Sequence, residues 1–462
     1  MKYVVLLLVF GSLVACEQKP KTLFTSLSPE ESGVHFQNTV TENDTVNLVD
    51  YYYVYNGGGV AVGDLNNDNL PDLYFTGNQV GDRLFLNITK PGSDHPRFED
   101  ITDKAGIKKG GWSTGVTMAD VNSDGLLDIY VCKSGNYPGN RRKNQLYINR
   151  GKANDASLRF EERAEQYGLA DTSYTNQAAF LDYDKDGDLD VYLLTSTNLI
   201  RNPNQVTPVI ADGSGLANDK LFRNDSGAGG PHFTDVTKSA GILHDGFGLG
   251  ITVSDFNQDG WEDIYIANDF LANDFLYINN QNGSFKEVSR TFFKHHSQFS
   301  MGCDAADINN DGLVDVVVAD MLPADNEQRK KMAGPANYQQ FESILQQGYH
   351  PQFMRNMLQV NGGKAPDGRM VFSEIGQFAG VSATDWSWSP LLADLDNDGW
   401  RDLFITNGYL RDITDLDFVS FNDQFAQGEV DHRSRLMRIC DRERLKCPVS
   451  RRQTAFFAIN IT

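Results

Sequence analysis

One nine-residue pattern, Asp-x-Asn/Asp-x-Asp-x-x-x-Asp, occurs six times, at residues 64–72, 120–128, 182–190, 255–263, 307–315 and 394–402. Short oxygen side chains alternating along a tight loop are what a hard divalent cation needs, because calcium takes about six to eight oxygen ligands. Positions 1, 3, 5 and 9 supply them. The candidate metal ligands are Asp64, Asn66, Asp68 and Asp72; Asp120, Asn122, Asp124 and Asp128; and Asp182, Asp184, Asp186 and Asp190. The later copies give Asp255, Asn257, Asp259 and Asp263; Asp307, Asn309, Asp311 and Asp315; and Asp394, Asp396, Asp398 and Asp402. Position 7 can add its backbone carbonyl, as Leu126 does in the second copy. Position 6 must turn sharply, which suits the glycines at 125, 187, 260, 312 and 399. The first copy has Asn69 there, and asparagine is the next most tolerant of a left-handed backbone.

A single copy can also be read as a metal-free Asp/Asn/Gly turn. Six copies with acids held at positions 1, 5 and 9 favour a metal. Calcium is expected over magnesium because a flexible, protein-rich cage suits it better. These positions carry 20 carboxylates in a chain of net charge −21, and six calcium ions would bring that charge to about −9. Clustered like charges otherwise destabilise a compact state.

Each loop sits inside a longer unit. A small-residue, apolar stretch precedes it, at 57–63, 112–119, 177–181, 246–254, 301–306 and 386–393. A β-rich run follows, such as Asp72-Leu-Tyr-Phe and Asp263-Ile-Tyr-Ile. Next comes a Leu/aromatic/Asn run, at 84–87, 146–149, 221–224, 276–279 and 358–361. A fourth signature starts at Phe98, Phe160, Phe233, Phe285 and Phe372. Four short strands in each of six units predict an all-β propeller, with the glycine-rich strand innermost where strands crowd the axis.

The units resemble FG-GAP/VCBS repeats, the integrin-α type of calcium-bearing blade. The whole chain resembles the cartilage acidic protein-like (ASPIC/UnbV) group. Four stretches carry the likeness: YNGGGVAVGD at 55–64, NDFLANDFLYINN at 268–280, DMLPAD at 320–325 and NGYLRDITDLD at 407–417. The resemblance implies a ring that usually has seven blades, whereas six loops are recognisable here. The expected architecture is therefore an integrin-alpha-like β-propeller of six four-stranded blades, either a six-bladed ring or an incomplete seven-bladed one. The N-terminal segment near residues 34–38 is a candidate closing strand.

The expected domain order starts with a lipoprotein signal peptide at 1–15. Lys2 precedes an apolar stretch at 4–14, too short to span a bilayer, and Leu-Val-Ala-Cys ending at Cys16 resembles a bacterial lipobox. Cleavage would leave Cys16 to carry the lipid, with a tether over 16–30, the propeller over 31–431 and an atypical Arg-rich tail over 432–462. Cys132 and Cys303 lie in strand-like surroundings and read as core residues, whereas Cys440 and Cys447 could pair in an oxidising compartment. No cysteine spacing suggests zinc. The acid excess excludes a nucleic-acid partner, whose phosphates need basic patches. A cell-envelope location, at the outer membrane or surface of a bacterium, fits weak calcium sites.

Recognition in a propeller belongs to insertions on one face. Three stand out, at 196–219, 321–356 (helical over 326–348) and 409–427. Tyr338, Phe341, Tyr349, His350, Phe353, Arg355, Tyr409 and Arg411 are candidates for a binding face or for packing the insertions. Trp112, Trp386 and Trp388 stack on sugars if exposed and fill blade cores if buried. His295 and His296 adjoin, so a strand would point them to opposite faces. The Asp44-Thr45-Val46 triplet resembles an O-glycosylation signal. No Gly-x-Ser-x-Gly elbow, His-Glu-x-x-His or phosphate loop is present. The leading expectation is a calcium-stabilised, lipid-anchored, non-enzymatic propeller that binds an extracellular glycan or protein. The alternatives are a polysaccharide lyase or hydrolase, and a scaffold subunit of an envelope complex.

Overall fold

The computed structural model describes residues 23–43, 46–48, 51–108, 110–153, 157–197, 206–227, 230–332, 338–409, 413–417 and, in backbone only, 455–457. The signal peptide, Cys16, the Asp44-Thr45 pair, Arg411, Cys440 and Cys447 lie outside these residues, as does nearly all of the tail. No helix among the described residues is long and apolar enough to cross a membrane.

Five antiparallel four-stranded sheets follow one another along the chain, each in sequential strand order but for one two-stranded interruption. Blade 1 runs through Val60–Gly63, Asp72–Phe75, Arg83–Asn87 and Phe98–Asp100. Blade 2 is Ser113–Ala119, Asp128–Lys133, Gln145–Lys152 and Leu158–Glu162; blade 3 is Tyr174–Leu181, Asp190–Ser196, Lys220–Asn224 and Phe233–Asp235. Blade 4 is Gly248–Ser254, Asp263–Asn268, Phe275–Asn279 and Phe285–Glu287; blade 5 is Cys303–Ala306, Asp315–Val318, Met357–Lys364 and Met370–Glu374. The sixth sheet has three described strands rather than the expected four: Ser387–Ala393, Asp402–Asn407 and Ala455–Phe457. The architecture is an all-β propeller, and every acidic loop joins the first strand of its blade to the second.

The first strands of successive blades pack side by side. Glycine permits this closeness: a Cβ on Gly115 would meet the Asn176 carbonyl oxygen at 2.5 Å, and one on Gly302 the Trp388 carbonyl oxygen at 2.4 Å. The core lies between blades. Tyr130, Ile148 and Cys132 of blade 2 cluster with Val191, Leu193 and Phe222 of blade 3, and the other interfaces repeat the arrangement. Cys132 is buried and Cys303 half-buried, both as free thiols.

A second recurring device is polar. The tyrosine two residues into the second strand of blades 1 to 4 is fully buried and needs a partner for its hydroxyl. Tyr74 donates to Asp82 (3.2 Å), Tyr192 to Asp219 (2.9 Å) and Tyr265 to Asp274 (2.9 Å). The same carboxylates accept backbone N–H groups of Gly77, Thr195 and Asn268, pinning the exit of the second strand to the entry of the third.

The N-terminal segment bridges the two ends of the row. Phe24 packs against Phe404 of the sixth sheet at 6.3 Å, and Phe36 stacks on Phe75 of blade 1 at 5.2 Å. Between them, the helical turn Pro29–Ser32 is held by a capping box on Ser28 and ends at Gly33, which lies against the Phe98 carbonyl. Gly106, Gly168 and Gly241 lie in the same way against Phe160, Phe233 and Phe285 of the following blade. So residues 24–33, of which the sequence assigns 24–30 to the tether, take the place of the turn that ends a blade. Residues 34–38 pair in no sheet, so closure near them rests on side chains rather than on the expected strand.

Candidate metal loops and binding pocket

All six loops have one hydrogen-bond plan. The first aspartate accepts the N–H groups of positions 5 and 6: Asp255 Oδ1 takes Asp259 N–H (3.0 Å) and Oδ2 takes Gly260 N–H (2.7 Å). The fifth accepts the N–H of position 7, as Asp124 does from Leu126 at 3.0 Å. The ninth is fully buried in five copies, and Asp402 is nearly so. One oxygen accepts the N–H of position 2 in every copy, and in the first five copies the other accepts that of the asparagine in the third strand. Asp263 binds Phe256 N–H at 3.0 Å and Asn279 N–H at 2.8 Å. The asparagine side chains then reach the preceding blade: Asn149 donates to the Leu65 carbonyl, Asn279 to that of Tyr183 and Asn361 to that of Phe256.

The loops turn left-handed twice. Position 6 does so as expected, but position 4 does too, in Asn67, Ser123, Lys185, Gln258, Asn310 and Asn397, with φ between 56° and 60°. Their side chains link loops. Asn67 donates to the Gly125 carbonyl, Gln258 to that of Gly312 and Asn310 to that of Gly399, while Lys185 lies over the Trp261 ring at 4.5 Å.

The loops fit a hard cation. Buried Oδ1 atoms of Asn66, Asp184 and Asp188 have no hydrogen-bond partner among the described residues, a state that a buried polar atom rarely keeps. Carboxylate oxygens of Asp182, Asp184 and Asp190 lie within 4.8 Å of one another, as do those of Asp394, Asp396 and Asp398. Without a cation five of the ninth carboxylates resist ionisation. Burial, opposed by their N–H bonds and reinforced by neighbouring acids, raises Asp190 to about 8, Asp128 and Asp263 to about 7, and Asp72 and Asp315 to about 6.

A pocket of about 340 Å³ opens on the opposite face. Its residues precede first strands or follow second strands, the ends away from the loops. Tyr52, Tyr53 and Asn56 lead into blade 1; Asp269 and Phe270 leave blade 4; Gln298, Phe299 and Met301 lead into blade 5. Trp386, Trp388 and Tyr409 come from the sixth sheet. Trp386 lies flat on Tyr409, with centroids 4.5 Å apart, and the Tyr409 hydroxyl donates to the Tyr52 carbonyl at 2.9 Å. Phe270 meets Tyr53 at 6.2 Å and Phe299 at 6.5 Å.

Two of these rings sit on strained backbone. Phe270 has φ 58° and Tyr409 φ 65°. Each lies seven residues after the last aspartate of its loop, where blade 2 has Gly135 at φ 86°. Glycine takes that conformation readily, whereas an aromatic residue gives up about 1 kcal/mol or more. Strain of this kind is a pointer to function.

Of the aromatic and charged candidates in the insertions, Tyr409 is the one that lines the pocket among the described residues. Tyr338 is exposed, Phe341 stacks on Phe353, and His350 is buried against His296 at 4.6 Å. The insertion forms two helices, Asn326–Lys331 and Tyr338–Gln346, and contributes Gln340 to the pocket. Trp112 is buried against Tyr51, while Trp386 and Trp388 reach the pocket. His295 turns to Glu374 (3.5 Å) and His296 to Asp274 (3.8 Å), so the adjoining pair does part. The pocket escaped the sequence reading because it gathers segments that share no spacing. The one local signal was an aromatic at a position that holds glycine in blade 2.

The sequence matches the FG-GAP-like repeat model over residues 64–131 and 255–318, each span running from one acidic loop through the next. The matched FG-GAP-like repeats and the sheet order agree on an all-β propeller. No curated protein gives a significant match. Among solved structures, the chain is similar to an Agrocybe aegerita lectin described as recognising non-reducing terminal N-acetylglucosamine, at 15% identity over 75% of this chain and 73% of the lectin, TM-score 0.40. It is similar to the Photorhabdus luminescens Tc holotoxin pore at 15% identity over 75% of this chain and 13% of that one, TM-score 0.32. It is similar to the V. cholerae biofilm matrix protein Bap1 at 16% identity over 45% and 34%, TM-score 0.22.

Proposed function

We propose that this chain is a calcium-stabilised propeller of the ASPIC/UnbV type, held at a bacterial cell envelope by a lipid on Cys16, that captures an extracellular ligand. The ligand is a glycan or a group projecting from a protein. Binding, not turnover, is the proposed role. The observation that carries the reading is the pocket: seven aromatic rings converge on it, two of them on backbone that glycine would adopt more easily. Its size suits a single sugar or a comparable group. The acidic loops support the calcium part through their unpartnered buried oxygens.

Trp388 is one of the half-buried rings of the pocket and sits on strand backbone. A screen of immobilised glycans and envelope proteins in millimolar calcium should find a ligand, and Trp388→Ala should weaken its binding about 30-fold, the ~2 kcal/mol of an aromatic anchor. The melting temperature should hardly move. Undiminished binding by the variant would place the site elsewhere, and release of product from a bound polysaccharide would contradict the binding role.

The anchor has its own test. Cys16→Ala should move the protein from the membrane fraction to the soluble fraction and abolish incorporation of labelled lipid. Persistent incorporation would refute lipidation at Cys16.

A further inference from the structure

The pocket contains one ionisable carboxyl group and no basic residue among its described lining. That group, Asp269, is 5% exposed. Its Oδ1 accepts the Phe270 N–H at 2.7 Å. The titratable groups facing it are Asp320 and Tyr53, neither of them a cation. Asp82, a buried acid of blade 1, has by contrast the buried Lys133 ammonium at 3.6 Å. Asp269 instead shares the pocket lining with the rings of Tyr53, Phe270 and Phe299. Aromatic faces attract cations through their quadrupole, and a desolvated carboxylate strengthens that attraction.

Resting on the reading of this pocket as the binding centre, we infer that it accepts an alkylammonium group, a quaternary ammonium above all, seated among the aromatic rings with its charge against Asp269. A quaternary nitrogen carries no N–H to be left unsatisfied among rings, and its methyl groups bury apolar surface there. A neutral sugar would stack on the same rings but would leave the carboxylate without a counter-charge.

Burial, reinforced by Asp320 and opposed by the Phe270 N–H, raises Asp269 to about 7. A bound cation holds the carboxylate ionised. Binding must therefore displace a proton below pH 7, and affinity should fall as the pH drops from 8 to 5.

The test is calorimetric titration of the calcium-loaded chain with choline and with 3,3-dimethylbutan-1-ol, its neutral isostere. The expected result is a preference for choline of at least tenfold at pH 8, shrinking toward pH 5 and lost in Asp269→Asn with no fall in melting temperature. A phosphocholine titration separates a conjugated headgroup, which would bind more tightly than choline, from a free solute, which would bind less well when phosphorylated. Equal binding of choline and its isostere would overturn the inference and leave the pocket as a binding centre. Binding of neither, with glycan capture still lost in Trp388→Ala, would do the same. A charge preference that survives Asp269→Asn would also overturn it.

Discussion

Removing calcium from residues 17–462 should lower the melting temperature by about 10 °C or more. A site held at ten times its Kd adds about 1.4 kcal/mol, so six sites would add roughly 8 kcal/mol. That is comparable to the whole folding free energy of many domains. In a chain this long each kcal/mol moves the midpoint by one or two degrees at most, which gives the ~10 °C figure. The loss has an identifiable source. Without the cation, loop 3 holds Asp182, Asp184, Asp186, Asp188 and Asp190 on one turn, and the buried Oδ1 atoms of Asp184 and Asp188 face no partner. Asp184→Ala separates metal from turn: it should lower the midpoint in calcium and leave it unchanged, or raise it, in chelator. Equal losses in both conditions would show that the loops are structural turns alone.

The pH dependence of stability should change sign with calcium. Asp190, Asp128, Asp263, Asp72 and Asp315 are raised in the metal-free fold to between about 6 and about 8, against about 4 in the unfolded chain. A raised carboxyl pKa means that the fold binds more protons than the unfolded chain across that window. Its stabilising protonation is complete below pH 4 and is lost as the pH climbs through 6 to 8. In chelator the midpoint should therefore fall by more than about 5 °C between pH 5 and pH 8. In calcium the same acids must be ionised to ligate, so the midpoint should rise over that range. Parallel slopes in the two buffers would separate the raised acids from any metal site.

Much of this molecule is legible in its sequence because the repeat displays the same physics six times. The loops, the glycine-rich inner strands and the four-strand unit follow from spacing and residue size. The second left-handed turn was hidden because position 4 varies among Asn, Ser, Lys and Gln, and a side chain's reach to the next loop leaves no pattern. The tyrosine–aspartate staples were hidden for another reason: Tyr74, Tyr192 and Tyr265 read as apolar strand residues, and the loops accounted for the clustered acids without Asp82, Asp219 or Asp274. The pocket is a property of the ring rather than of any blade. Tyr52, Asp269 and Trp388 become neighbours only when distant strand ends meet around the axis. Helix-rich insertions drew attention instead, yet most of their aromatic side chains pack on one another or on the blades.

Calcium counting by equilibrium dialysis of residues 17–462 at pH 7.5 tests the central claim most directly. The account predicts up to six bound ions per chain, at dissociation constants of about 10⁻⁴–10⁻³ M, and one fewer in Asp184→Ala. No binding above a charge-matched control, or an unchanged count in the variant, would contradict it.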